Sequence, residues 1–467
     1  HIDPLQYDLS LGRVINDEMG KTIDIDLDFP RNIREELIKR IHEKYGWDHA
    51  LITGAISSYK IKGCIKDLGK VLGLPDADIS QLAKQADVYH SRNLREEADK
   101  LPNLHDKIKM QVWGNLFNLA DQLLGFPKYL SQHSGGMIIG SSPLIDLVPA
   151  QPGAIDHRYI CHWDKDSIAD AGFVKIDCLG LGALSQMQEM FQLIEKHKHT
   201  SIDISRINFN DKAVYKSIHT GDTIGVFQIE SPAQMQNVGR IMPTNLREMA
   251  YQVAVVRPGV GLNNAISKFI ERHKKKKRGQ LSDWEYDHPL EKEALERTLG
   301  VILFQDQVNE LAIHIAGFGP KEADNMRRAF GRHNNNLLLE GYFYKFINGA
   351  LRRGVSKPDA KKIFNKFSGQ YMFPESHAYA FGITAYQMAW LKFHYPLEFY
   401  VAIFNQQPMG FYNIETLKED ANRHGIEVLN PNINKSMDRC VIKDETSFLL
   451  GLSNVKGLGT SKVKKII

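Results

Sequence analysis

The sequence predicts an α+β protein that is mostly helical. Three observations predict it. Residues 21–30 read KTIDIDLDFP, so Ile23, Ile25, Leu27 and Phe29 alternate with Asp24, Asp26 and Asp28; strict period-two alternation marks a half-buried strand. A second stretch, AGFVKIDCLGLGAL, puts Val174, Ile176 and Cys178 on one face and Lys175 and Asp177 on the other. Elsewhere, from about 76 to 130 and from about 184 to 408, the apolar spacing is helical.

The first strand has a polar face made only of carboxylate. Aspartates two apart on a strand share a side and lie roughly 6.6 Å apart along it. Their oxygens can converge on two Mg²⁺ ions about 4 Å apart. Two other readings stay open on these residues alone. One is a solvated acidic edge strand, which charge keeps from aggregating. The other is a calcium loop, since Asp24, Asp26, Asp28 and Glu35 fall on its first, third, fifth and twelfth positions. Against the loop, Phe29 stands where that motif needs glycine. Asp177 on the second strand is either half of a surface pair with Lys175 or a third metal carboxylate beside a phosphate-neutralising cation.

At 467 residues, two to four domains are expected. Apolar content of 43% and charged content of 24% suit a soluble globular chain. There is no signal peptide and no long uncharged apolar run, so a cytoplasmic protein without membrane insertion is expected. Cys64, Cys161, Cys178 and Cys440 are scattered with no CxxC pair, which points to reduced thiols rather than a disulfide frame or zinc site. A net charge of +4 says little about partners; local basic clusters say more.

After the acidic strand, Pro30 suits a helix start. Ile33, Leu37, Ile41 and Tyr45 repeat every fourth residue as its buried face, and Gly46 ends it. A short strand and a basic helix follow. Lys60, Lys62, Lys66 and Lys70 read as a solvated face or as contacts to a DNA backbone. In the helical insertion, Trp113, Phe117 and Leu124 read as core. His133, Ser134, Gly135 and Gly136 precede an apolar strand, and the glycines mark a turn or a close approach to a ligand. Arg257, Arg327, Arg328 and Arg332 supply guanidiniums suited to phosphate. The basic run at 273–279 reads as a solvated loop that would also strengthen salt-dependent DNA binding. Tyr379, Phe381 and Tyr386, near Ser376 and His377, read as core or as stacking groups for a base. The end of the chain has Gly457 and Gly459 before a basic helix, in the manner of a helix-hairpin-helix whose amides grip phosphate.

Taken together, these stretches resemble the bacterial C-family DNA polymerases, the alpha subunit of DNA polymerase III. The acidic strand resembles that family's PDxDxDF motif, with Ile23 where proline is usual, and VKIDCLGL resembles its VKFDFLGL. QHSGG, VRPG, QDQV, RRAFGRH and ESHAYAF follow in the family's order. FPESHA and NQQPMGFY, followed by RHGIEVLNPNIN, are most similar to the error-prone, damage-tolerant branch.

The resemblance implies a nucleotidyltransferase palm of the polymerase beta type at 1–55 and 131–183. It implies a helical thumb at 56–130, long helical fingers at 184–408, and the start of a clamp-binding, helix-hairpin-helix domain at 409–467. By motif match, Asp24, Asp26 and Asp177 hold two Mg²⁺, with Mn²⁺ as a substitute, and Asp28 supports them. Lys165 and Lys175 face phosphates. Arg257, Arg327, Arg328, Ser376 and His377 meet the incoming nucleotide. Lys60, Lys62, His133, Ser134, Gly135, Gly457 and Gly459 contact DNA. The implied partners are primer-template DNA, deoxynucleoside triphosphates, a sliding clamp and replisome or mutasome subunits. Two family parts are expected to be missing: the N-terminal phosphoesterase-like domain and a Gly-Ser loop before HIDPLQYDL, so that this piece alone polymerises poorly. No exonuclease motif is present. The alternatives are a catalytically incomplete DNA- and clamp-binding piece, and another two-metal nucleotidyltransferase.

Overall fold

The computed structural model describes residues 7, 9, 24–86, 94–155, 158–256, 264–280, 283–330, 336–367 and 373–467. The chain divides into two units, Lys21–Gly180 and His1–Gly20 with Leu181–Ile467.

In the first unit, strand β1 (Asp24–Pro30) runs directly into helix α1 (Arg31–Tyr45). Gly46 closes that helix at φ +85°, a backbone angle that glycine adopts without strain. The apolar repeat of this helix packs only in part: Ile41 lies against the sheet and Leu37 is half-buried. Ile33 and Tyr45 are exposed, whereas Ile38 and His42 are buried. The reason is that α1 meets the sheet along Ile38, which sits on Ile52 and Met137. His42 is tolerated there because its Nδ1 hydrogen-bonds the Ile38 carbonyl at 2.9 Å.

Strand β2 (Ala50–Ser58) leads to helices α2 (Ile61–Val71), α3 (Asp76–Gln85), α4 (Leu94–Asp99) and α5 (Gln111–Leu123). These share one core, with Trp113 and Phe117 inside it and Leu124 at its edge, as expected. Gly69 lets α2 and α3 close up, since a Cβ there would lie 2.8 Å from Ile79. The chain returns as the long strand β3 (Pro127–Ile139), then β4 (Ala150–Pro152), β5 (Tyr159–Cys161), helix α6 (Lys165–Asp170) and β6 (Lys175–Leu181).

The sheet order is β1-β6-β3-β2-β5-β4. β3 is antiparallel to both β2 and β6, while β2 and β5 are parallel, so the sheet is mixed. One face carries α1; on the other, Leu51, Ile138 and Cys161 pack with Ile168 of α6.

The second unit is helical: α7 (Gly182–Lys198), α8 (Lys212–Ile218), α9 (Pro232–Ile241), α10 (Leu246–Val255), α11 (Asn264–Lys277), α12 (Lys292–Leu295), α13 (Gln305–Ala316), α14 (Pro320–Phe330), α15 (Asn336–Arg352), α16 (Lys357–Asn365), α17 (Glu375–His394), α18 (Pro396–Asn405) and α19 (Ile414–Arg423). It ends in a small sheet of β7 (Glu427–Leu429), β8 (Val441–Ile442) and β9 (Ser447–Leu449), ordered β7-β9-β8, and helix α20 (Thr460–Ile466). Helix α17 is apolar on nearly every side and is buried accordingly. Tyr379 and Tyr386 are core residues, which removes the stacking reading for both. The run at 273–279 is not a loop. Its residues up to Lys277 form the last turn of α11, where the helix dipole favours cations, and Arg278 and Gly279 form the turn that follows. His273 and Lys277 are tied there to Glu248 of α10, at 3.2 and 2.8 Å. The mostly helical α+β reading of the sequence holds.

Candidate active site

The two carboxylate-bearing strands, β1 and β6, are hydrogen-bonded neighbours in the sheet. β6 also pairs with β3, with Asp177 opposite Gly136 and Lys175 opposite Ile138. Residues opposite each other in an antiparallel pair share a face, so Lys175 and Asp177 lie on the side away from α1.

His133, Ser134, Gly135 and Gly136 lie inside β3, not ahead of it and not in a turn. Ile52 pairs with Met137, but Gly54 pairs with Gln132, so these residues bulge out opposite Thr53. Such bulges re-aim side chains next to functional sites. Here the bulge folds the His133 ring back onto its own backbone, where Nδ1 accepts from the amides of Gly136 at 2.7 Å and Gly135 at 3.2 Å. A nitrogen that accepts two amides carries no proton, so Nδ1 has none to donate. The approach of His133 Nδ1 to Asp177 Oδ1 at 3.6 Å is therefore not an ion pair. Gly136 is required for this packing. A Cβ would collide with Thr53 Oγ1 and lie 2.9 Å from His133 Nδ1 and 3.0 Å from Asp177 Oδ1.

Asp177 is buried, and its Oδ2 accepts from Lys175 Nζ at 2.6 Å. The pair is thus not the surface contact that the sequence left open. Asp177 Oδ1 is buried and accepts no hydrogen bond from any described residue. Asp28 Oδ1 is in the same condition. Burial, and then the charge of Asp26, push the Asp28 carboxyl above the usual range. Asp26 itself is exposed. A buried carboxylate oxygen without a donor is costly, and it suits a hard divalent cation, which takes oxygen ligands. For Asp24 only the backbone of the strand is described.

Sequence reasoning missed Arg34. Its Nε donates to the Cys178 carbonyl at 2.8 Å, and its other nitrogens reach the Ser134 carbonyl and Glu35. One guanidinium thus ties α1 to β6 and to the β3 bulge, beside Asp177. Glu35, which completed the calcium-loop pattern, is held instead by Arg34 and Arg158.

Among the described residues, one cluster has ligand atoms close enough to hold a metal ion: Asp222, Asp420 and His424, within 4.8 Å of one another. A cation already sits there. Lys392 Nζ lies 2.8 Å from Asp222 and 2.9 Å from Asp420, and His424 meets Asp222 at 2.7 Å. Burial raises Asp222, but His424 and Lys392 more than reverse this and hold it at about 2. The cluster is a closed ion network that fastens α19 to α17.

Residues 1–180 match the family described as bacterial DNA polymerase III alpha NTPase domain, and residues 183–354 match the bacterial DNA polymerase III alpha subunit finger domain. Residues 425–467 match a helix-hairpin-helix motif. The chain belongs to the bacterial DNA polymerase III alpha family. It is 38% identical to an error-prone DNA polymerase of Vibrio parahaemolyticus over 93% of this chain and 42% of that protein. It is 35% identical to one of Idiomarina loihiensis over 99% and 45%. It is 36% identical to error-prone DNA polymerase 1 of Agrobacterium fabrum over 100% and 43%. The chain therefore spans less than half the length of these relatives. All three bear the name of the branch that the sequence details resemble.

The remaining polymerase-family positions are distributed as follows. Lys60 is exposed just before α2, and Lys62 is half-buried in its first turn. Lys165 is exposed at the start of α6. Arg257 lies outside the described residues. Arg327 and Arg328 stand on α14 and share Asp324, with contacts of 2.5 and 2.6 Å. Ser376 is exposed in the first turn of α17. His377 is stacked on Phe373 and meets Phe381 at a tilt, and burial lowers its pKa, so the ring is neutral at neutral pH. Gly457 has φ +87°, and Gly459 precedes α20. No helix among the described residues is long and apolar enough to cross a membrane.

Proposed function

We propose that this chain is the catalytic portion of a template-directed DNA polymerase, adding deoxynucleotides to a primer 3′-end in replication or damage-tolerant synthesis. The observation that carries the reading is the pair of neighbouring strands β1 and β6, with buried carboxylate oxygens on Asp28 and Asp177 that no described residue satisfies. Asp24, Asp26 and Asp177 would hold two Mg²⁺, or Mn²⁺, with Asp28 behind them. When bound, such ions lower the pKa of an attacking hydroxyl and stabilise a leaving pyrophosphate. Lys175 keeps one oxygen of Asp177 turned toward itself and neutralises charge beside it. His133 is held by its Nδ1 on the bulge backbone, which leaves Nε2 for contact with a DNA backbone, alongside Ser134 and Gly135 in the same bulge.

In this reading the sheet is the palm, α2 to α5 the thumb, and the helices from α7 to α18 the fingers. Lys165, Arg257, Arg327, Arg328, Ser376 and His377 serve the incoming nucleotide. His377 acts as a hydrogen-bonding group rather than a cation, because its burial keeps it neutral. Lys60, Lys62, Gly457 and Gly459 serve DNA. Primer-template DNA, deoxynucleoside triphosphates, a sliding clamp and replisome or mutasome subunits are the partners, and the cytoplasm is the location.

The test is primer extension by the full-length protein with Mg²⁺ or Mn²⁺, with and without template. Metal-dependent extension that copies the template is expected. Extension without template would make the protein another two-metal nucleotidyltransferase. Tight DNA binding with no extension would make it a tether.

A further inference from the structure

The QDQV stretch has no role in the reading above. It opens α13, and its first two residues touch two separate parts of the second unit. Gln305 Oε1 accepts from Arg327 Nη1 at 2.8 Å. The backbone N–H of Gln305 donates to the Phe373 carbonyl at 3.1 Å, and Phe304 forms a β-bridge with Phe373. Asp306 Oδ2 accepts from the N–H of Glu375, the first residue of α17, at 2.6 Å. The third residue, Gln307, is buried and anchors the turn from within. Its Oε1 accepts from the amides of Leu303 and Phe304, and its Nε2 donates to Thr298 at 2.6 Å.

These bonds join two groups that the polymerase reading assigns to the incoming nucleotide. One is the Arg327–Arg328 pair on α14, the other the Ser376–His377 turn at the head of α17. Each group has a partner on its own helix, Asp324 for the arginines and Phe381 for His377, but each is also held from outside it. Arg327 is on a long side chain with many rotamers, and Ser376 and His377 follow residues that Asp306 and Phe304 hold in place. Asp324 alone steadies the arginines from their own helix, through Oδ1 to Arg327 and Oδ2 to Arg328. Asp324 Oδ1 takes the Nε and Nη2 of Arg327, which leaves Nη1 for a partner outside α14. The bond from Gln305 supplies the second constraint on Arg327.

We propose that Gln305 and Asp306 are positioning residues that set Arg327 and the first turn of α17 in one fixed relation, so that both meet one triphosphate. The inference rests on the polymerase reading. Neither residue is asked to touch substrate. Their contribution is preorganisation, and misplacing a binding group by about 1 Å can cost on the order of 10²-fold in rate.

The experiment uses the full-length protein in single-nucleotide primer extension with Mg²⁺, measuring kcat, the KM for the nucleotide and the Kd for primer-template DNA. Gln305→Ala is expected to raise the nucleotide KM on the order of tenfold, since it removes a hydrogen bond to a charged group. DNA affinity and melting temperature should stay close to those of the parent protein. Gln305→Glu keeps an acceptor facing Arg327 and should recover most of the loss. Asp306→Ala should raise the KM similarly, and Asp306→Asn, which retains an acceptor for the Glu375 amide, should recover it. Parent-like KM in both alanine variants would overturn the inference alone. So would equal losses in alanine and conservative variants accompanied by a fall in melting temperature, since that pattern marks a purely structural role. Absence of template-directed extension by the parent protein would overturn the polymerase reading, and this inference with it.

Discussion

Asp177 has two oxygens with different work. One is bound to the Lys175 ammonium at 2.6 Å; the other is buried without a hydrogen bond from any described residue. Asp26, on the neighbouring strand, is exposed, and its charge adds to the burial that raises Asp28. Neutralising these two acids should therefore have different consequences. Asp26→Asn in the full-length protein should lower extension by at least on the order of 10²-fold. Its stability should stay within about 0.5 kcal/mol of the parent, as for most surface changes. Asp177→Asn should lower extension similarly but also cost about 3–5 kcal/mol, because it breaks a buried pair and leaves Lys175 with one carboxylate fewer. Extension rates with urea unfolding of each variant decide it; parent-like extension by Asp26→Asn would sink the metal assignment. At Gly136 the limit is space. Gly136→Ala places a methyl against Thr53, His133 and Asp177 and should cost about 1–3 kcal/mol, read as a fall in the thermal midpoint. An unchanged midpoint would mean that the bulge relaxes freely.

At the scale of elements, α10 and α11 are held together through Glu248, which meets His273, Lys277 and Thr244. Burial raises this carboxyl, but bonds from His273 and Lys277 more than reverse it and bring it to about 2, below its ordinary 4.5. A depressed acid contributes stability above its unfolded value and loses it as pH falls through its folded value. Glu248→Gln should accordingly cost about 2 kcal/mol at pH 7. The difference from the parent should shrink between about pH 4.5 and 2. Denaturant midpoints of both proteins across that range provide the check, and a constant difference down to pH 2 would assign the loss to shape rather than charge. The same scale explains why the basic run at 273–279 misled. The four consecutive lysines are exposed as a solvated run would be, yet they end a helix rather than a loop, and its last turn also lets Lys277 reach Glu248.

For the whole molecule, a net charge of +4 conceals 59 cationic side chains against 55 acidic ones. Many of the cations are committed internally: Lys175, Arg297 and Lys392 each bind carboxylates. DNA binding by the full-length protein should then rest on the exposed lysines and arginines and should carry little sequence preference. Affinity for primer-template DNA should fall by about 10³ between about 50 and 200 mM salt, as expected for several phosphate contacts. Fluorescence anisotropy titrations at several salt concentrations measure the slope, and a flat response would contradict a phosphate-based interface.

Much of this was legible in one dimension, for a physical reason. Alternation of apolar and acidic residues in 21–30 and in VKIDC is a local pattern, and each strand shows it before folding. The helical spacing of Trp113 and Phe117 likewise predicts their core. Order along the chain was enough for the resemblance to the polymerase family. What a sequence cannot show is which patterns meet. Only the sheet order set β1 beside β6, because strand pairing is fixed by contacts between residues far apart in the chain. Only packing chose Ile38 over Ile33 as the buried edge of α1, and only the register shift between β2 and β3 turned QHSGG from a turn into a bulge. The bonds from Arg34 to two strands, and from Gln305 and Asp306 to α14 and α17, join residues with no shared motif. Hydrogen bonds of that kind depend on three-dimensional proximity, which no spacing within a single segment records.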